Sequence, residues 1–209
     1  MSNIYAVFEH HKIIPVVRID DAEKTLELCK TLKLGGLPIA EITLRTEGAI
    51  EAIQKAAQQD DFLTGAGTVL NAEECVMALD AGARFIVSPG LDEGVVEICR
   101  ERGIACFPGV ATASDVQKAH NMGLKFVKFF PAEPLGGTGM LKALAAPFYQ
   151  MRFIPTGGIH AGIAIEYLRL PCVLAVGGSW MVKPEHYANG SFSEVLRLTK
   201  DATKITEGL

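Results

Sequence analysis

Phe126-Val127-Lys128-Phe129-Phe130-Pro131-Ala132-Glu133 sets one lysine inside a run apolar enough to be a strand buried on both faces. Two readings of Lys128 stand on this run alone. In one, the stem packs on apolar surface while the ammonium reaches water. In the other, the amine is held in a dry interior, where desolvation favours the neutral, nucleophilic form that Schiff-base chemistry needs. The choice between them rests on what the rest of the chain builds around this residue.

Short apolar runs of the same kind recur at 13–18, 40–44, 62–68, 84–88, 105–110, 152–156 and 173–176, making eight with 126–130. Segments of helical period separate them, at 22–33, 48–58, 72–81, 93–102, 114–122, 138–145 and 161–169, with a last one at 193–203. Asp20, Asn71, Asp92 and Thr112 stand where they can cap helix starts. Gly35-Gly36, Gly82, Gly103 and Gly123 stand where helices end. Eight continuous apolar strands, each followed by a helix, predict an α/β fold of the (β/α)8 TIM barrel type. A doubly wound open sheet is the runner-up, since periodicity alone does not separate the two. Residues 1–12, with Ile4, Val7 and Phe8 at helical spacing, predict an extra N-terminal helix covering the barrel's N-terminal end. With no linker or low-complexity segment, residues 1–209 read as one domain. The chain is short against the ~250 residues usual for the class, which leaves little for long lids and puts a site inside the barrel mouth.

Side-chain parity then sorts the polar residues. In Glu41-Ile42-Thr43-Leu44-Arg45 the polar residues occupy one strand face and Ile42 and Leu44 the other, so Glu41, Thr43 and Arg45 are expected to point inward. The same parity groups Thr64, Ala66 and Thr68 on the third strand, and Phe126, Lys128 and Phe130 on the sixth. Glu41 and Arg45 by themselves are equally well read as a mutually satisfied pair filling the interior. With Lys128 added, a catalytic cluster becomes the better reading. Thr156-Gly157-Gly158 and Gly177-Gly178-Ser179 fall after the seventh and eighth strands, where barrels commonly bind phosphate through backbone N–H groups.

Composition narrows the partners. A hydrophobic content of 49% with 21% charged residues describes an ordinary globule with a sizeable core. A net charge of −4 gives no general attraction to nucleic acid or anionic membranes, so neither is expected as a partner, while an anionic small molecule can still bind locally. Cys29, Cys75, Cys99, Cys106 and Cys172 form no CxxC pair, which argues for reduced thiols and the cytoplasm. No apolar run reaches membrane-spanning length and none resembles a signal peptide. His10, His11, His120, His160 and His186 show no ligand spacing, so no metal and no cofactor is expected. Arg18, at the end of the first strand, can reach a phosphate or form a surface ion pair. Trp180 and Met181 read as core or interface packing, with a hydrophobic lid as the alternative.

The blocks EITLRT (41–46), GAGTVL (65–70), SPG (88–90), FFPAE (129–133), PTGGI (155–159) and GGSW (177–180) closely resemble the 2-keto-3-deoxy-6-phosphogluconate / 4-hydroxy-2-oxoglutarate aldolase family, in order and spacing, nearly end to end. The resemblance implies a trimer of (β/α)8 barrels and a metal-independent class I aldolase acting on a phosphorylated keto acid to release pyruvate. It implies that Lys128 forms the Schiff base and that Glu41 is the acid/base carboxylate. Arg45 and Thr68 would hold the pyruvyl carboxylate, with Pro89 and Phe130 lining the pocket. The phosphate site would fall on Thr156, Gly157, Gly158, Gly178 and Ser179. The chain departs at position 160, where the family often carries a Ser or Thr helix cap and His160 stands instead. The trimer would cover apolar surface expected around Trp180. A barrel that binds an anionic sugar without covalent chemistry, or isomerises a phosphosugar, is the alternative function.

Overall fold

The computed structural model describes residues 4–209. Helix α1 (Ile4–His11) precedes the first strand; residues 1–3 of the helix expected at 1–12 lie outside the described residues. Strand β1 (Ile13–Val17) leads to α2 (Thr25–Leu34), β2 (Ile39–Thr43) to α3 (Ala49–Ala57), β3 (Leu63–Gly67) to α4 (Ala72–Asp80) and β4 (Phe85–Val87) to α5 (Glu93–Glu101). After β5 (Ala105–Phe107) and β6 (Gly109–Val110) come α6 (Ala113–Asn121), β7 (Phe126–Phe129), α7 (Gly137–Ala145), β8 (Arg152–Pro155), α8 (Ala161–Leu168), β9 (Val176–Gly178) and α9 (Ser193–Thr206). All strand pairs are parallel, in the orders β5-β4-β3-β2-β1-β9 and β6-β7-β8. Bridges Phe153 to Val173 and Thr156 to Gly177 link β8 to the β9 segment, and β6 continues β5, so the α/β sheet curls round an interior.

Two strand boundaries differ from the apolar runs, each for a backbone reason. The run 105–110 is split at Pro108, which has no N–H to give the ladder. Its carbonyl still accepts from Lys128 N at 2.9 Å and keeps β7 in register. The run 173–176 is a strand only from Val176, because the chain is still turning at Val173, whose N–H bonds Leu170 O at 2.9 Å. Gly177 and Gly178, expected as loop, are therefore strand residues paired with Ile14 and Pro15.

Most helix starts are capped as the side chains suggest. Asn71, Asp92 and Thr112 accept bonds from Glu74, Val95 and Asp115 N–H groups, and Thr112 and Asp115 form a capping box. Asp20 does not cap; Asp21 accepts from Glu23 N instead, and Asp20 pairs with Arg18 at 3.2 Å. His160 does cap: its Nδ1 accepts from Gly162 N at 3.2 Å, so an imidazole replaces the hydroxyl at the start of α8.

The interior is sealed at its N-terminal end by aromatic rings. Phe8 of α1 stacks on Phe107 with centroids 4.9 Å apart and meets Phe85 edge-on at 5.1 Å, while Tyr5 stacks on Phe126 at 4.2 Å. Strand β3 makes room for this plug and reverses the expected parity. A Cβ on Gly65 would lie 2.2 Å from the Phe85 ring, and one on Gly67 would lie 2.2 Å from Glu41 Oε1. The glycines thus face the interior, and Thr64 and Ala66 face outward. Thr68 reaches the interior from the next position because its φ of 57° breaks the alternation.

Among the described residues, the apolar surface expected around Trp180 is small. Met181 is buried and Trp180 half-buried, its ring filling the space where a Gly178 side chain would start. Among the described residues, the large apolar side chains left most exposed are Tyr149, Leu34 and Leu70.

Phe8 is fully buried among other rings, so Phe8→Ala should lower unfolding free energy by ~3–5 kcal/mol, the usual cost of removing a core phenylalanine. Urea denaturation read by circular dichroism measures it; a loss under ~1 kcal/mol, the level of a surface change, would show that α1 is not part of the core.

Candidate active site

Lys128 sits on β7 with its side chain turned into the sheet interior, above the aromatic plug. Its Nζ lies 3.5 Å from Glu41 Oε1 of β2, a residue 87 positions earlier in the chain, and both side chains are almost fully buried, at 6% and 4% exposure. Bringing two charges out of water costs several kcal/mol per ion unless they meet. The pair satisfies that requirement only because Gly67 leaves space for the Glu41 carboxylate. On the open side the Phe130 ring stands 4.9 Å from Nζ, where its face attracts the cation and its bulk excludes water.

Arg45 reaches the same space from beyond the end of β2. The strand stops at Thr43, so the strict alternation expected through Arg45 ends two residues short, and the guanidinium lies at the mouth, exposed. Thr43 aims it: its hydroxyl donates to Val17 O at 2.8 Å and accepts from Arg45 Nε at 3.1 Å. The remaining N–H groups of the guanidinium are left for an anion, which a planar fork can hold at two points.

The opposite wall is backbone. Gly157 and Gly158, with φ of 101° and 82°, follow β8, while Gly178 ends β9 and Ser179 follows it. Gly157 N–H is turned to Gly177 O by the Thr156–Gly177 bridge, while among the described residues the N–H groups of Gly158 and Ser179 have no backbone acceptor. Two free amides from neighbouring loops, next to the start of α8, make an anion-binding concavity.

One cavity of about 240 Å³ is lined by all the site residues that the family resemblance implies: Glu41, Arg45, Thr68, Pro89, Lys128, Phe130, Thr156, Gly157, Gly158, Gly178 and Ser179. Val16, Thr43, Ile159 and Gly177 line it too. Thr43 was visible as an inward polar residue, but nothing in the sequence gave it a task. Gly67 was hidden, since a glycine has no side chain for parity to place. Arg18 does not line the cavity and keeps its guanidinium with Asp20. Among the described residues, Thr156 Oγ1 and Thr64 Oγ1 are buried with no hydrogen-bond partner; Thr156 lines the cavity and Thr64 does not.

A space walled on one side by an amine and a carboxylate, at the mouth by a guanidinium, and opposite by free amides suits a small dianion with a reactive carbonyl between its charged ends. Known proteins share this arrangement's frame. The family model "KDPG and KHG aldolase" matches residues 4–198. A 2-dehydro-3-deoxy-phosphogluconate aldolase of Treponema pallidum is 45% identical over 98% of each chain. The crystal structure of the KDPG aldolase of Legionella pneumophila, with pyruvate captured as a covalent carbinolamine intermediate, superposes with a TM-score of 0.92 at 39% identity, covering 96% of this chain and 98% of that one. That of the Zymomonas mobilis 2-keto-3-deoxy-6-phosphogluconate aldolase with 3-phosphoglycerate gives 0.90 at 40% identity, over 98% and 97%. The buried lysine–carboxylate pair, the order of the motifs and the match over nearly the whole length place this chain in the KDPG and KHG aldolase family.

Proposed function

We propose that this protein is a class I aldolase that cleaves 2-dehydro-3-deoxy-6-phosphogluconate to pyruvate and glyceraldehyde 3-phosphate through an imine on Lys128, and that it also cleaves 4-hydroxy-2-oxoglutarate to pyruvate and glyoxylate. The observation that carries this is the buried Lys128 amine, 3.5 Å from a buried carboxylate, within a cavity open to a small anion. The carbinolamine seen with the Legionella pneumophila relative supports covalent chemistry over a merely binding barrel. We read the curled sheet as an eight-stranded (β/α)8 barrel with α1 as its added helix, the β1–β9 pairing and the bridges to β8 being the support for closure.

The chemistry follows from the placement. Lys128 passes a proton to Glu41 and attacks the C2 ketone as the free amine, and Glu41 returns that proton so that water can leave the carbinolamine. The resulting iminium draws electrons from C3–C4 as Glu41 takes the proton of the C4 hydroxyl. The bond breaks, the aldehyde departs, and an enamine of pyruvate remains on Lys128. Glu41 returns its proton to the enamine methylene, and water then hydrolyses the imine to release pyruvate and restore the amine. Arg45 and Thr68 hold the C1 carboxylate throughout, between Pro89 and Phe130. Thr156, the Gly157-Gly158 loop and the Gly178-Ser179 turn hold the distal phosphate, through the free amides of Gly158 and Ser179. No step calls for a metal or cofactor. The free cysteines support a reducing, cytoplasmic setting.

Borohydride with pyruvate should fix a stable adduct on wild type and none on Lys128→Met, which replaces a buried amine by an unbranched apolar chain and should keep the fold. Glu41→Gln should form that adduct slowly and lose ~10²–10⁴ in turnover, the range for a positioned acid/base. A trappable Lys128→Met, or an unimpaired Glu41→Gln, would refute the assignment.

Both substrates share the near end held by Arg45, and only the phosphorylated one reaches the amides, so it should have the higher kcat/KM. Ser179→Asp puts a negative charge against the phosphate and should depress cleavage of the phosphorylated substrate far more than that of 4-hydroxy-2-oxoglutarate. Equal losses would move the phosphate elsewhere, with Arg18 the next place to look.

The threefold assembly implied by the resemblance belongs to the same reading. Exposed Leu70 and Met77, on and before α4, offer apolar area that a second copy can cover. Sedimentation at micromolar protein should give about three times the 22.4 kDa chain mass; a monomer would rule this out.

A further inference from the structure

Glu133 ends the FFPAE block yet lines no part of the cavity. It reaches the Gly157-Gly158 loop from three directions. Its backbone N–H donates to Gly157 O at 3.0 Å. Its Cβ fills the space beside Gly158, only 2.6 Å from where a Cβ on that glycine would lie. Its carboxylate accepts a hydrogen bond from the hydroxyl of Tyr167, on the helix that follows the loop. Tyr167 is only 1% exposed. Burial first, and then the bond to Glu133, push its phenol up, so the hydroxyl stays a donor. Gly137, at the start of α7, lets that helix approach the pair: a Cβ there would lie 3.1 Å from Glu133 Oε1 and 3.4 Å from Tyr167 Oη. The positive end of α7 therefore faces the carboxylate and helps to hold it.

We propose that Glu133 and Tyr167 form a positioning clamp that keeps the Gly158 amide turned into the cavity, and so sets affinity for the phosphorylated end of the substrate without touching it. The inference rests on the phosphate reading given above. Two left-handed glycines in succession are the most conformationally free backbone of the site, and peptides that can rotate lose anion affinity to ordering. The clamp removes that freedom from outside the cavity, tying peptide 157 to the loop after β7 and that loop to α8.

The test uses Glu133→Ala, Glu133→Gln and Tyr167→Phe in the full chain. Two readouts are compared: KM for the phosphorylated substrate, and the pyruvate concentration needed for half-maximal borohydride trapping, which engages only the near end. Ala and Phe are expected to raise that KM about tenfold, the effect of losing one charge-assisted hydrogen bond, with pyruvate trapping unchanged. Gln still accepts from Tyr167 and should restore KM to near wild type. A structural bond alone would lower thermal stability without this split between readouts. Equal effects on both readouts, or Gln no better than Ala, overturn the clamp. Ser179→Asp run alongside separates the two levels. If it discriminates against phosphate while Glu133→Ala does not, the phosphate site stands and the clamp falls. If Ser179→Asp is indifferent to phosphate, the site is misplaced and the clamp falls with it.

Discussion

A lysine and a glutamate buried together set the terms for the rest of this fold. Neither charge is tolerable alone when buried this deeply, so β7 and β2 must meet across the sheet within reach of one ion pair. Such a pair gains little net stability over apolar residues of the same volume. Its surroundings are accordingly arranged to keep it in place. Gly67 clears the carboxylate, Phe130 faces the amine, and the stacked rings of Phe8 and Phe107, with Phe85 edge-on to both, close the floor against water. Removing water strengthens every electrostatic contact within the cavity, the condition under which one carboxylate can serve successive proton transfers.

Above that floor the walls divide the work by chemistry. The β1–β2 side presents side chains, with Thr43 fixing Arg45 through Val17 O, while the β8–β9 side presents backbone. A guanidinium matches a planar carboxylate, and a cluster of amides matches the several oxygens of a phosphate. Short loops suffice because each wall is anchored on a strand end. Gly177 and Gly178 being strand residues makes that wall stiffer than the loop expected from the sequence.

Much of this was legible in the chain before any coordinates. Apolar runs alternating with helical periods gave the α/β class, and inward parity put Glu41 and Lys128 into one interior, because both are side-chain patterns with a fixed period. What was not legible has a common cause: glycine and proline carry no such pattern. Parity on β3 was assigned to Thr64 and Ala66, when the interior face belongs to Gly65 and Gly67, whose value lies in missing atoms. Pro108 broke a strand that hydrophobicity alone had joined. Thr68 entered the cavity through a left-handed turn that its residue type does not advertise. His160 capped α8 although imidazole is a rare cap, a choice decided by local geometry.

On the proposed reading, three anchors on different strands also explain why cleavage is selective for one bond. An iminium accepts electrons only from a bond lying roughly perpendicular to its plane. Fixing the substrate at C1 by Arg45 and at C2 by Lys128 sets that plane, but leaves rotation about C2–C3 and C3–C4 free. The amides at the far end remove those rotations, turning C3–C4 toward the perpendicular and the C4 hydroxyl toward Glu41. Binding energy from a phosphate several atoms away thus acts on the reacting bond, as orientation rather than as contact with it. A substrate without the phosphate keeps the plane and loses the rotational constraint, so its handicap should fall on the cleavage step and leave imine formation nearly untouched.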